Sequence, residues 1–240
     1  MIASDKSQLY HFLSIAESWI SQYRVDIAEP EFRDDPEPGT QTASANQPGF
    51  ESMDAVACAI RSCTGCDLHS GRKQAVPGVG SESPTVLVVG EAPGAEEDER
   101  GEPFVGNAGQ LLDKMLASIG LSRDTNCYIA NTVKCRPPQN RDPLPDETGT
   151  CARFLESQIA LLRPMAILAV GRVAAQTLLC TNEGIGRLRG RFYDYRGIPL
   201  LATYHPSALL RDESLKRPAW EDLKALKAKL ESLKTGSGND

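Results

Sequence analysis

Of the seven cysteines in this 240-residue chain, four are spaced in a way that suits a shared metal centre. Cys63-Thr-Gly-Cys66 is a C-x2-C pair, and Cys135 and Cys151 follow in a polar stretch carrying Pro137, Pro138, Pro143 and Pro145. Thiolates two residues apart can aim at one metal, because the intervening turn brings both side chains inward. A loop with so many prolines needs something to organise it, and a metal centre would do that. Four thiolates allow zinc or an iron–sulfur cluster, and the spacing does not decide between them. Cys58, Cys127 and Cys180 read as buried free thiols, with Cys58 the main competitor for a ligand position.

A second set of residues could handle a small polar ligand. Glu91 follows an apolar run in Gly90-Glu91-Ala92-Pro93-Gly94, and the acidic run Glu96–Glu99 and Phe104 come soon after. Asn131 ends another apolar run, and its side-chain amide can donate and accept in one plane. His205 sits in Thr203-Tyr204-His205-Pro206-Ser207-Ala208-Leu209-Leu210-Arg211, whereas His11 and His69 read as ordinary surface or helix histidines. Taken singly, each has a structural account: Glu91 as a helix N-terminal anion, Phe104 as core, Asn131 as a turn former. Neither the dinucleotide fingerprint nor the Walker A pattern occurs, which argues against those cofactor folds.

These residues become a set through the elements that carry them. Thr85–Gly90, Cys127–Asn131 and Met165–Gly171 read as continuous apolar strands, and Arg191–Tyr195 with Ile198–Ala202 as a strand pair. Helical patterns cover Ala108–Ile119, Glu147–Leu162, Arg172–Leu179 and Leu215–Leu233. Strands with little alternation, separated by helices, predict a parallel sheet covered on both faces, with ligands at the carboxyl ends of the strands. Glu91, Asn131 and His205 all fall at such ends. Residues 1–27 form a predicted amphipathic helix capped by Asp5, 28–50 a Pro- and Gly-containing flexible linker, and 51–234 the main domain. Residues 235–240 are expected to be a frayed tail.

Net charge at first points away from nucleic acid, with 26 Lys and Arg against 32 Asp and Glu. The imbalance is local. Residues 1–56 hold three basic and ten acidic residues, leaving a body from 57 to 240 with a net charge of +1. DNA therefore stays among the possible partners. The sequence shows no apolar run long enough to span a membrane and no secretory profile at its start, which predicts a cytoplasmic protein with reduced cysteines.

Three segments then resemble a known family. GEAPGAEEDERGEPFVGNAGQLLDKML (Gly90–Leu116), NTVKCRPPQNRDP (Asn131–Pro143) and YHPSALLR (Tyr204–Arg211) look like the motifs of family 4 uracil-DNA glycosylases of bacteria and archaea. The likeness spans roughly Cys63 to Leu230 and leaves residues 1–50 outside. It implies a three-layer α/β/α fold around a four-stranded parallel sheet, with the N-terminal helix as an extension. It also implies a 4Fe–4S cluster held by Cys63, Cys66, Cys135 and Cys151. By the same resemblance, Phe104 stacks on a flipped uracil, Asn131 reads its edge, Glu97 excludes the thymine methyl and His205 donates to O2. Glu91 positions water or stabilises the sugar cation, and backbone groups around Glu91, Ala92 and Pro93 hold the base.

Leu209 or Leu210 could wedge into the duplex, and Arg187, Arg189, Arg191 and Arg211 are candidates for phosphate contacts. The expected partner is uracil-containing DNA, single- or double-stranded; the chain is expected to be monomeric, and the N-terminal helix could dock a protein partner. A relative that captures uracil-DNA covalently carries a histidine-containing insertion, and Gly184–Gly190 contains no histidine, which favours turnover. A polymerase-associated accessory protein and a zinc-bearing DNA module are the other readings.

Overall fold

The computed structural model describes residues 49–236. The expected N-terminal helix (1–27), the linker as far as residue 48 and the tail from residue 237 lie outside the described residues.

Val86–Gly90 (β2), Cys127–Asn131 (β3) and Ala166–Val170 (β4) are buried at every position, and Ile198–Thr203 (β6) over its last four. These strands pair in parallel in the order β3-β2-β4-β6, with Val88 beside Ile129 on one side and Leu168 on the other. The expected four-stranded sheet is thus the centre of a six-stranded one. Val79–Gly80 (β1) adds an antiparallel edge to β3, and Phe192–Tyr195 (β5) one to β6. The strand pair β5–β6 was legible in sequence; β1 was not, since two residues carry no periodicity.

Alternate strand residues face opposite layers. Val86 and Val88 pack with Leu112 and Leu116 of Asn107–Ala117 (α4) and with Leu223 and Leu226 of Lys216–Gly236 (α9). Leu87 and Val89 pack with Leu155 and Ile159 of Pro145–Leu162 (α5) and Ala174 and Leu178 of Arg172–Leu179 (α6). Leu188 of Ile185–Leu188 (α7) joins this second layer. Fully burying one Val or Leu contributes about 1.5–3 kcal/mol. A one-residue slip would exchange the two layers' contacts, so packing fixes the register.

A smaller apolar cluster lies to one side. Val56 and Ile60 of Met53–Ser62 (α1) and Leu68 of Leu68–Gly71 (α2) pack with Val133, Phe154, Cys135 and Cys151. Two short helices, Ala95–Arg100 (α3) and Pro206–Arg211 (α8), follow β2 and β6 and border the sheet's carboxyl edge.

Candidate active site

The carboxyl ends of the four parallel strands open into a cleft of about 690 Å³ lined by Glu91, Ala92, Pro93, Glu97, Phe104, Asn131, His205 and Arg211, among others. Gly90 and Asn131 are register partners, so the loop after β2 and the end of β3 meet at the cleft floor. Thr132 fastens them: its hydroxyl donates to the Glu91 carbonyl at 2.6 Å, and the Val133 N–H donates to the same oxygen at 3.2 Å.

Asn131 is 2% exposed, and its Oδ1 is a buried side-chain acceptor with no partner among the described residues. A buried polar atom left unpaired costs about 1–3 kcal/mol, so such an atom in a cleft marks a place prepared for a donor. Gly90 makes room for it. A Cβ there would stand 2.4 Å from Asn131 Oδ1 and 2.5 Å from Phe104 Cζ, closer than any side chain tolerates.

Phe104 adopts φ 54°, a left-handed conformation that costs a bulky residue about 1–3 kcal/mol. Arg123 holds it there, donating to the Pro103 carbonyl at 3.0 Å and the Phe104 carbonyl at 2.9 Å while pairing with Asp113. Gly109 lets α4 approach, since a Cβ there would lie 1.8 Å from the Phe104 oxygen. The ring ends 5.5 Å from that of His205, centroid to centroid, with 31° between the planes.

His205 caps α8. The Ser207 N–H donates to its Nδ1 at 3.1 Å, and Ser207 Oγ lies 2.8 Å from the same nitrogen. A backbone N–H can only donate, so Nδ1 is the acceptor and the ring proton resides on Nε2. Burial, with Arg211 nearby, pulls the imidazole down to about 4, against a partial opposing effect of Glu97. His205 is therefore a neutral donor at physiological pH.

Glu97 is fixed rather than free. Its Oε1 accepts from the Val105 and Gly106 N–H groups at 2.9 and 3.1 Å, and its Oε2 from the Gly94 N–H at 3.1 Å. It thereby joins the loops that border the cleft. Glu91 is half-buried, and its carboxyl is raised above the ordinary glutamate value by burial first and the Asp142 charge second, with Arg172 opposing. Arg172 and Asp142 form an ion pair beside it. Sequence reading missed this pair, along with Arg123 and Ser207. Gly171-Arg172 directly after a strand was the available signal for Arg172; nothing in the pattern distinguished Asp142 from its neighbours.

The remaining candidates separate. Arg211 lines the cleft and is exposed. Leu210 is 50% exposed, whereas Leu209 is 2% exposed within the core layer beneath α8. Arg189 does not reach the cleft: it grips Asp222 with two nitrogens at 3.0 and 2.7 Å and lies over the Tyr204 ring. Arg191 stacks on Tyr193 and faces Glu183 at 3.7 Å.

Cys63, Cys66, Cys135 and Cys151 line one small cavity together with Ile60, Arg72, Lys134 and Phe154. Cys58, Cys127 and Cys180 lie elsewhere. Of these three only Cys127 is buried; Cys58 and Cys180 are exposed, which corrects the expectation for both. Burial pushes the Cys151 thiol up to about 11 and raises Cys135, the latter against the Arg72 guanidinium 3.0 Å from its sulfur. The proline loop has its own clasp. Glu147 accepts from both terminal nitrogens of Arg141, at 2.8 and 2.6 Å, and from the Leu144 N–H at 2.7 Å, starting α5 one turn before Cys151.

Phe104 offers a face and Asn131 an edge, so the cleft suits a flat ring carrying both donors and acceptors. Residues 77–224 match the family model described as the uracil DNA glycosylase superfamily. The chain is 44% identical over 185 residues to the type-4 uracil-DNA glycosylase of Archaeoglobus fulgidus, covering 74% of this chain and 92% of that one. It is 41% identical over 182 residues to the type-4 uracil-DNA glycosylase of Thermotoga maritima, covering 74% and 94%. A type-5 uracil-DNA glycosylase of Thermus thermophilus is 35% identical over 152 residues, or 55% of this chain and 68% of that one. The chain belongs to the uracil-DNA glycosylase superfamily, in its type-4 branch.

Proposed function

We propose that this protein removes uracil from DNA by hydrolysing the N-glycosidic bond, releasing free uracil and leaving an abasic site. The observation that carries this reading is the orphaned Asn131 Oδ1 at the cleft floor beside the Phe104 ring. A base flipped from the duplex stacks on Phe104. Asn131 Oδ1 accepts from uracil N3–H while its amide N–H donates to O4. Cytosine reverses both groups and leaves the buried amide unpaired, which a site of this kind rejects strongly. Glu97, anchored by three backbone N–H groups, stands as a fixed wall against the thymine methyl.

As the bond between N1 and the sugar breaks, positive charge grows on the sugar and negative charge on the departing base. Neutral His205 donates from Nε2 to uracil O2, where that charge gathers. Its Nδ1 is held by Ser207, so the ring does not have to reorient. Glu91 faces the sugar as a carboxylate, stabilising its cation or orienting the water that adds to it; the water's proton balances the one the uracil anion takes up. Backbone groups of Ala92 and Pro93 frame the base. Arg211 supplies positive charge at the rim for DNA phosphates.

The four cysteines around one cavity fit a 4Fe–4S cluster. Four thiols lining one cavity are the donor set that such a cluster takes. Such a cluster would pin α1, α5 and the proline loop, with no redox role in the hydrolysis. Replacing Cys135 by Ala should lower stability before it alters base choice. Among the described residues no helix is long and apolar enough to cross a membrane, and the proposed setting is the DNA of the cytoplasm. The deciding experiment is multiple-turnover release of free uracil from single- and double-stranded DNA by a brown, iron-containing preparation. A colourless protein that leaves uracil-DNA uncut would overturn the reading.

A further inference from the structure

Lys134 is 1% exposed, among the largest fully buried side chains of the described residues. Its ammonium group donates to the backbone carbonyl of Asn131 at 2.8 Å and to Gln158 Oε1 at 2.7 Å. Gln158 is itself held, donating from Nε2 to the Pro77 carbonyl at 2.8 Å. Both acceptors of the ammonium are neutral, and among the described residues Lys134 forms no ion pair. A buried charge without an opposite charge is costly. Yet Lys134 lines the cysteine cavity together with Cys151, within electrostatic reach of that sulfur. Four thiolates around an iron–sulfur core carry net negative charge, and that is the missing countercharge.

We propose that Lys134 is a positioning residue that couples the two sites: its ammonium balances the cluster on one side and fixes the Asn131 main chain on the other. This rests on the cluster reading above. The short path Cys151–Lys134–Asn131 then gives the cluster a purpose beyond bracing. Loading it sets the charge that holds the ammonium in place, and the ammonium sets the pose of the amide that reads uracil. Removing the ammonium should loosen Asn131 in the reacting complex more than in DNA binding, because most DNA contact is made elsewhere on the rim. Cluster potential depends on nearby charge and on hydrogen bonds to the sulfurs, so the same substitution should be visible at the iron.

The test compares the iron-loaded wild type with Lys134→Met, Lys134→Arg and Gln158→Glu. Potentiometric titration followed by electron paramagnetic resonance reads the cluster, and single-turnover excision with saturating uracil-DNA reads the site. Lys134→Met is expected to shift the cluster potential to more negative values and to slow excision about tenfold or more, with DNA affinity nearly unchanged. Lys134→Arg should recover most of the potential. Gln158→Glu, which offers the ammonium a rival carboxylate, should shift the potential in the same direction by less. Lys134→Met protein that loses the cluster while Lys134→Arg keeps it also supports the proposal. A folded Lys134→Met protein with wild-type potential and excision overturns it. So does an unshifted potential in Gln158→Glu if the methionine variant cannot be obtained folded. A wild-type protein without iron would instead overturn the cluster reading itself, before any variant is compared.

Discussion

Asn131 at the end of β3 and Asp222 on α9 are both buried polar residues, and the fold treats them oppositely. Asp222 is 1% exposed and accepts from Thr203 Oγ1 at 2.7 Å and from two nitrogens of Arg189 at 3.0 and 2.7 Å. Burial raises its carboxyl above the ordinary aspartate value, with these partners opposing only in part. Every donor it meets belongs to the chain, so the network closes on itself and ties α9 to β6. Asn131 is as deeply buried, yet its Oδ1 accepts nothing from the described residues. A satisfied buried group contributes to the fold, whereas an unsatisfied one at a cleft is held for something from outside. Phe104 repeats the lesson in the backbone: Arg123 maintains its left-handed conformation, and its ring lines the cleft while packing on the core.

Exchanging the two effects is the sharpest way to break this contrast. Asn131→Ala should slow single-turnover uracil excision by about a hundred- to a thousandfold, the scale of losing a group aimed at the reacting system. Its thermal midpoint should hold or rise, because the substitution deletes an unpaired atom. Asp222→Ala should behave in reverse. It strands the part-buried Arg189 and should cost about 3 kcal/mol in denaturant unfolding, while excision per folded molecule stays near wild type. A stable Asp222→Ala protein beside an unfolded Asn131→Ala protein would reverse the roles of the two residues.

Much of the cleft was legible because it lies where chain order alone puts it. Glu91, Asn131 and His205 each follow an apolar run, and parallel strands bring such positions to one edge. The four-cysteine pocket was legible from the C-x2-C pair and the proline loop. What sequence could not supply was the state of each group. Leu209 and Leu210 are indistinguishable in a list of residues; only the rotation of α8 sends one into the core and the other outward. Arg189 read as a phosphate contact because nothing in its neighbourhood foretold a carboxylate 33 positions away. Lys134 read as part of a motif, and its burial depends on how α5 lies over β3. The edge strand Val79–Gly80 is too short to announce itself.

A smaller effect separates the two titratable groups of the cleft. In the proposed reaction Glu91 serves the sugar cation as a carboxylate, and burial with Asp142 raises its pKa above the ordinary glutamate value. Excision should therefore fall as pH drops through that raised value, by up to about tenfold per unit. His205 stays neutral down to about 4, so the first acid limb belongs to Glu91. Glu91→Gln should lower the rate and remove that limb from a pH profile of kcat/KM. A limb that persists unchanged in the variant would transfer the titration to another group.

The smallest effect belongs to Leu210, and it tests the surface rather than the cleft. A wedge that fills the gap left by a flipped base acts only where there is a stack to fill, so its contribution is confined to duplex DNA. Leu210 is half exposed on the last turns of α8, a few residues beyond His205, whereas Leu209 faces Leu223 and the rest of the core. Leu210→Ala should slow excision several-fold from double-stranded DNA and leave excision from single-stranded DNA, and the unfolding midpoint, unchanged. Leu209→Ala should cost about 2–5 kcal/mol of stability, as large-to-small core changes do, and affect both substrates alike. Equal losses on both substrates from Leu210→Ala would remove the wedge from this helix, and the duplex would have to be opened by another part of the rim.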